Sequence, residues 1–317
     1  MGFTSLEMCA GAGGQAIGLE RAGFCHEGLI EFDKHACETL KLNRPHWQVH
    51  QADLETFDGR PFKGVDLLAG GLPCPPFSVA GKQLGKTDER NLFPAAIRLV
   101  DEIRPRAVMI ENVRGILGAT FETYRRYIRA QMTKLGYISE WKLICASEFG
   151  VSQVRPRAVF VAIRKDKWEH FSWPTQHKKE PLTVGECLFD LMSERKWRGA
   201  KAWRERACAI APAIVGGSQK HGGPDLGPSR AKKAWAALGV NGHLVAENPP
   251  DRNFTGMPIL TVKMVARLQG FPDGWNISGR RTQAYRQVGN AFPPPVAHAV
   301  ADKIAACLAS RRRAKSR

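Results

Sequence analysis

Through the first half of the chain, short apolar runs alternate with longer amphipathic stretches, the pattern of strand–helix units that build a parallel sheet. Runs at 5–8, 28–32, 48–52, 65–69 and 107–110 are short and bounded by polar or Gly-rich breaks, which predicts five strands. Between the last two, Leu92, Ala96, Leu99 and Ile103 recur at helical spacing and predict a helix lying on the sheet. Two later runs, 137–145 and 158–163, predict a hairpin or edge pair near the end of the sheet.

From about residue 165 to 255 the texture changes. Trp168, Trp173, Trp197, Trp203 and Trp235 mix with basic residues and Gly/Pro breaks, and periodicity is poor. That predicts a smaller, loop-rich unit. After Arg281 order returns: Val296, Val300, Ile304 and Leu308 form one apolar stripe on a terminal helix. This helix should pack back on the first unit. The expected division is therefore 1–164 plus 282–317 for a large discontinuous domain, and 165–281 for the smaller domain with its connecting segment.

Composition narrows the class of protein. No apolar run is long enough to span a bilayer, and the N-terminus lacks a signal-peptide pattern, so the expectation is a cytoplasmic protein with no membrane partner. Forty-seven Lys and Arg against thirty Asp and Glu give a formal charge of +17, which favours a polyanion by releasing condensed counterions. Eight scattered cysteines lack the close spacing of a zinc knuckle or redox dithiol, so no metal and no disulfide framework is expected. The default use of each is as a small buried apolar residue.

The ends of the predicted strands carry the chemistry. In an open parallel sheet, ligands bind outside the carboxyl ends of the strands, so these positions converge. After the first strand comes Ala10-Gly11-Ala12-Gly13-Gly14, a turn whose glycines allow close approach to a ligand at the start of a helix. Glu31 ends the second strand, at the distance where an acid meets ribose hydroxyls. Together they specify a nucleoside-type cofactor without saying which. Phe32 can stack on an adenine or serve as an ordinary core aromatic. Asp53 can accept from an adenine amino group or cap a helix.

After the fourth strand, Gly70-Gly71-Leu72-Pro73-Cys74-Pro75-Pro76 holds a cysteine on a stiff loop at the ligand edge. Strand five ends in Glu111-Asn112-Val113, where a buried carboxylate needs work or a partner, Arg114 being the nearest candidate in sequence. In Gln153-Val154-Arg155-Pro156-Arg157 two arginines at alternate positions share a face just before a strand, suited to phosphates and base carbonyls or simply a solvated edge.

This set, with Gln287-Val288-Gly289-Asn290 near the end, resembles the DNA cytosine-5 methyltransferases, in order and spacing, over 5–163 and again over 260–308. The resemblance implies a Rossmann-like α/β methyltransferase sheet with helices on both faces, plus a loop-rich target-recognition domain at 165–281. It implies S-adenosylmethionine as cofactor, with contacts from Cys9, Ala10, Gly11, Gly13, Gly14, Glu31, Phe32, Asp53, Leu54, Gly71, Pro73, Leu92, Asn290 and Ala291. Cys74 would be the nucleophile, Glu111 would hold the cytosine amino group and N3, Arg157 the base carbonyl, and Arg155 the nearby backbone. The partner would be double-stranded DNA with its target base flipped out, read in the major groove by the recognition region, where the Gly216–Gly223 stretch forms either a groove-entering loop or an ordinary surface loop. The resemblance is to bacterial or phage enzymes of restriction–modification systems. This implies a monomer in the cytoplasm, associated with the nucleoid, and a cognate restriction endonuclease that acts on the same site without being bound.

Two positions depart from the family pattern. Pro75 stands where many members have a polar residue, and Pro258 where many have an arginine before Leu-Thr. Three other readings compete. A tRNA cytosine-5 methyltransferase of the same family would share the core and differ in the recognition region. A nicotinamide-dependent oxidoreductase would explain the Gly-rich loop but not Pro73-Cys74 or the arginine pair. A non-catalytic DNA-binding descendant would not need every catalytic side chain.

Overall fold

The computed structural model describes residues 2–73, 91–178, 180–217 and 223–310. Its elements in chain order are β1 (Phe3–Met8), α1 (Gly14–Arg21), β2 (Phe24–Glu31), α2 (Lys34–Asn43), β3 (Val49–Gln51), β4 (Leu67–Gly71), α3 (Phe93–Ile103), β5 (Ala107–Val113), α4 (Glu122–Lys134), β6 (Tyr137–Cys145) and β7 (Pro156–Arg164). There follow α5 (Val184–Ser193), α6 (Ala200–Arg206), α7 (Ser229–Ala237), α8 (Val262–Leu268), α9 (Arg281–Asn290) and α10 (Pro294–Ala309). All five predicted strands, the helix before β5 and the terminal helix are present. The predicted edge pair is β6 and β7, antiparallel to each other.

The seven strands form one sheet in the order β3-β2-β1-β4-β5-β7-β6. Strands β1 to β5 run parallel, and β7 enters antiparallel to β5. Strand order reverses between β1 and β4, so the loops leaving those two strands diverge and open a crevice at the carboxyl edge. The Gly-rich loop after β1 and the Leu72-Pro73 segment after β4 stand on the two sides of that crevice.

Each face of the sheet is covered. Leu6, Met8, Val108, Ile110 and Phe160 pack with Phe93, Leu99 and Ile103 of α3 and Ile128 and Met132 of α4. On the opposite face, Leu67, Ala69, Met109 and Val161 pack with Leu19 of α1 and Val296, Val300, Ile304 and Leu308 of α10. The stripe predicted from four-residue spacing is buried along its whole length. Helices α1 and α10 approach closely at Gly18, where a Cβ would lie 2.5 Å from that of Ala297. At the foot of the sheet, Asp66 accepts from Thr4 N–H (2.9 Å) and Arg106 Nη1 (2.7 Å), while Arg106 Nη2 donates to Leu308 O near the end of α10 (2.8 Å).

The stretch after β7 is more helical than its texture suggests. Trp197, Trp203 and Trp235 are buried in a third core with Leu188, Met264, Tyr285 and Val288, and this core continues into Ala12, Ile17 and Leu40 beside the Gly-rich loop. Trp168 and Trp173 instead pack against the α10 face of the sheet. Aromatic rings at irregular spacing can fill a core without leaving a periodic signature, so periodicity alone understates the order here.

Candidate active site

The loop after β1 is bent by backbone that only certain residues accept easily. Cys9 (φ 51°), Gly11 (φ 54°) and Gly13 (φ 82°) lie in the left-handed region, and Gly13 caps α1. A Cβ on Gly11 would meet nothing, so the loop faces open space there, whereas a Cβ on Gly14 would lie 2.3 Å from Phe292 O. Gly14 is thus required for packing, while Gly11 leaves a cradle. From behind, Trp275 supports the loop: its indole N–H donates to Ala12 O (2.9 Å), and a Cβ on Gly13 would come within 2.9 Å of its ring.

Glu31, at the end of β2, stands beside this cradle. Its Oε2 accepts from Gly11 N–H and its Oε1 from Asp33 N–H, both at 2.7 Å. Burial pushes its carboxyl above the ordinary range, and the amide donors pull the other way. Phe32 is 71% exposed, so it is no core aromatic and its ring is available to stack. Asp53 Oδ1 accepts from Glu55 N–H (2.9 Å), closing a local turn rather than capping a helix. Leu54 is buried and Leu92 half-buried in the α3 core. An open glycine cradle, a carboxylate and an exposed aromatic ring in sequence succession fit a nucleoside with a ribose and a flat base. Among the residues sequence reasoning missed is Glu7 on β1, fully buried, its carboxyl pushed well up by burial and by Glu31.

The other wall of the crevice is built from charge. Register pairs Gly71 with Glu111, and Glu111 in turn with Val159, so the end of β4 sits against the acid. Asn112 Nδ2 donates to Leu72 O (3.3 Å), fastening the chain as it leaves β4 toward Pro73. Cys74 lies outside the described residues. Glu111 is 4% exposed and forms an ion pair with Arg157 Nε at 2.7 Å, so its partner is Arg157 rather than Arg114. Burial raises the Glu111 carboxyl, and Arg157 and Arg155 oppose that rise. A buried acid with an elevated proton affinity, held by a fixed guanidinium, can both accept from an amine and share a proton with a ring nitrogen.

Arg155 and Arg157 part company in space. Arg157 turns to Glu111. Arg155 is fully buried, no solvated edge, and donates to Ile214 O, Gly289 O (2.7 Å) and Ala291 O (3.0 Å). Gln153, also fully buried, donates to Gln269 Oε1 (2.9 Å), and Gln269 Nε2 donates to Val288 O (2.9 Å). These side chains knit the arginine segment to the Gly289–Asn290–Ala291 turn. Ala291 lies against the Gly-rich loop, since a Cβ on Gly14 would reach within 3.3 Å of its own. The candidate cofactor residues of the two chain ends are thereby brought together.

The chain is similar to known proteins over nearly its whole length. The family model described as C-5 cytosine-specific DNA methylase matches residues 3–306. Among curated proteins, the chain is 54% identical to the type II methyltransferase M.NgoMIV of Neisseria gonorrhoeae, covering 97% of this chain and 99% of the relative. It is 51% identical to the type II methyltransferase M.NaeI of Lentzea aerocolonigenes, over 96% and 75% of the two chains. Among solved structures, the Entamoeba histolytica methyltransferase EhMeth shares the fold with a TM-score of 0.68 at 13% identity, covering 96% of this chain and 98% of that one. With a family model spanning nearly its whole length and relatives above half identity, the chain belongs to the C-5 cytosine-specific DNA methylase family.

Proposed function

We propose that the protein transfers a methyl group from S-adenosylmethionine to C5 of a cytosine flipped out of a specific double-stranded DNA sequence, through a covalent bond between Cys74 and C6. The observation that carries this reading is the buried Glu111–Arg157 pair, 2.7 Å apart, at the strand ends beside the chain segment leading to Cys74.

Cytosine C5 is too weak a nucleophile to be methylated directly. Addition of the Cys74 thiolate to C6 breaks the C5–C6 double bond and turns C5 enamine-like. Glu111, its carboxyl raised by burial, receives the exocyclic amino group and shares a proton with N3, drawing electrons from the ring as the thiolate adds. Arg157 orients that carboxyl and presents its remaining donors to the base O2. S-Adenosylmethionine supplies an electrophilic methyl on a sulfonium. Loss of the C5 proton then restores the double bond and expels Cys74 as thiolate.

On the other wall, Gly11, Gly13 and Gly14 with Cys9 and Ala10 form the cradle for the cofactor. Glu31 takes the ribose hydroxyls, Phe32 stacks on the adenine, and Asp53 with Leu54 borders it. Gly71, Pro73, Leu92, Asn290 and Ala291 complete the cofactor side. Flipping the base costs a few kcal/mol, offset by contacts in the pocket and along the phosphates. The 165–281 region reads the duplex, and the basic surface implied by a net charge of +17 holds the backbone. Acting as a cytoplasmic monomer, the enzyme would protect DNA from an endonuclease that cuts the same site.

One experiment tests the reading. Purified protein is incubated with methyl-labelled S-adenosylmethionine and either duplex DNA or tRNA, and DNA from expressing cells is sequenced after bisulfite conversion. Label in DNA and one protected cytosine context are expected. Label in tRNA alone would overturn the substrate, and binding of NAD with no response to S-adenosylmethionine would overturn the cofactor.

A further inference from the structure

Residues 211–217 cross the catalytic domain as a strap fastened nearly at every step. Ala211 N–H donates to Ser152 O (2.9 Å) and Ala211 O accepts from Val154 N–H (2.8 Å). Ile214 N–H donates to Gln153 Oε1 (2.9 Å), and Ile214 O accepts from Arg155. The Tyr285 hydroxyl, on α9, donates to Val215 O (3.0 Å), and Asn290 Nδ2 donates to Gly217 O (3.2 Å). Where the strap crosses α9, two glycines touch. A Cβ on Gly289 would lie 2.5 Å from Gly216 Cα, and one on Gly216 would lie 2.6 Å from Asn290 Oδ1. Buried main-chain carbonyls satisfied by side chains this distant in sequence make a stiff joint.

The side chain such a joint presents is unusual. Val215 is 48% exposed although its backbone is held from both sides. Val154 is 44% exposed, immediately before Arg155 and paired through its amide with the same strap. Fixed apolar side chains left in water next in sequence to Arg155 and to the Ile214 carbonyl it binds are suited to thymine methyl groups or to the space a flipped base vacates.

We propose that Tyr285 is a positioning residue for DNA: by holding Val215 O it sets the strap at 214–217 and aims Val215 at the duplex beside the target base. This rests on the function proposed above. Tyr285 acts on the strap through its hydroxyl, which donates to Val215 O (3.0 Å). Its ring is fully buried, so phenylalanine preserves the packing and removes only the hydrogen bond.

The test compares wild type, Tyr285→Phe and Val215→Ala, using labelled S-adenosylmethionine with a duplex carrying the cognate site and duplexes altered by one base pair. For Tyr285→Phe the expected result is a rise of ~10-fold in KM for cognate DNA, the size of one lost buried hydrogen bond, with kcat within about twofold. Discrimination against the altered duplexes should fall, and cofactor affinity measured by calorimetry should hold. Val215→Ala, which shortens the exposed side chain and leaves Tyr285 and its hydrogen bond to the main-chain carbonyl in place, should reproduce the same split. Unchanged DNA KM and discrimination in both variants would overturn the proposal. So would a parallel loss of kcat and cofactor binding in Tyr285→Phe, which would make Tyr285 a support of the cofactor site instead. A wild-type protein that labels no DNA would overturn the function itself, a different outcome from an active wild type with indifferent variants.

Discussion

The two walls of the crevice solve opposite problems with the same kind of side chain. On the β1–β2 wall, Glu31 is satisfied by two main-chain N–H groups, Gly11 in the glycine turn and Asp33 at the start of α2, with no arginine paired to it among the described residues. On the β4–β5–β7 wall, Glu111 is satisfied by a guanidinium and sits against main chain that is already paired in the sheet. Both carboxyls are pushed up by burial. A carboxylate held by neutral amides is a fixed acceptor suited to hydroxyl donors. One whose proton affinity is raised by burial beside a permanent cation is suited to proton traffic during a reaction. On the proposed function, one wall binds and the other reacts.

That comparison breaks most visibly at Cys74. Cys74→Ser should remove turnover entirely while cofactor affinity measured by calorimetry stays near wild type; residual methylation above background would sink the covalent mechanism. Glu111→Gln should come next, lowering kcat by ~10²–10⁴-fold with little change in cofactor affinity, as expected for a lost proton-handling group. If cofactor affinity fell instead, the two walls would not be separable. The mirror experiment is Glu31→Gln, whose amide nitrogen would oppose one of the two N–H donors. Cofactor affinity should drop by ~10–100-fold, the range for losing a charged hydrogen-bond acceptor, while kcat at saturating cofactor changes far less.

The smallest expected effect belongs to Glu7, beneath the binding wall. Its carboxyl is held well above its ordinary value by burial and Glu31, so the folded chain keeps a proton that the unfolded chain releases. Its contribution is therefore fully present below the unfolded range and is lost as pH rises through the raised folded value. Glu7→Gln removes that loss. The variant should melt a few degrees above wild type at pH 8, and the gap should close as pH falls toward 5. An equal gap at both pH values would show that Glu7 does not titrate differently in the folded chain.

Much of this arrangement is legible in the sequence, for a physical reason. Parallel strands buried on both faces read as near-continuous apolar runs, so β4 and the first half of β5 announce themselves, and the charged residues that follow the apolar runs of β2 and β5, Glu31 and Glu111, stand out. The first half of β2 is hidden because Cys25 and His26 pair in the sheet while staying partly exposed, and exposed Glu27 falls at a shift in register. The ion pair between Glu111 and Arg157 joins residues far apart in sequence, so sequence proximity points wrongly to Arg114. Trp275 and Tyr285 give no signal at all, because their partners are carbonyls of Ala12 and Val215 and a carbonyl has no residue type. The buried tryptophans of α6 and α7 escape for the same lack of period.

The closeness of Gly18 to Ala297 has a consequence for how the protein is made. On one face of the sheet, Leu67, Ala69 and Met109 share their core with α10, a helix that leaves the ribosome after every strand it covers. Until then the central strands present an apolar surface to the cell, the situation in which nascent chains aggregate or recruit chaperones. Contacts this distant in sequence also place the protein among slow folders. Synthesis of α10 is thus the step at which the sheet can first close, and no methylation should be expected from a chain arrested before it.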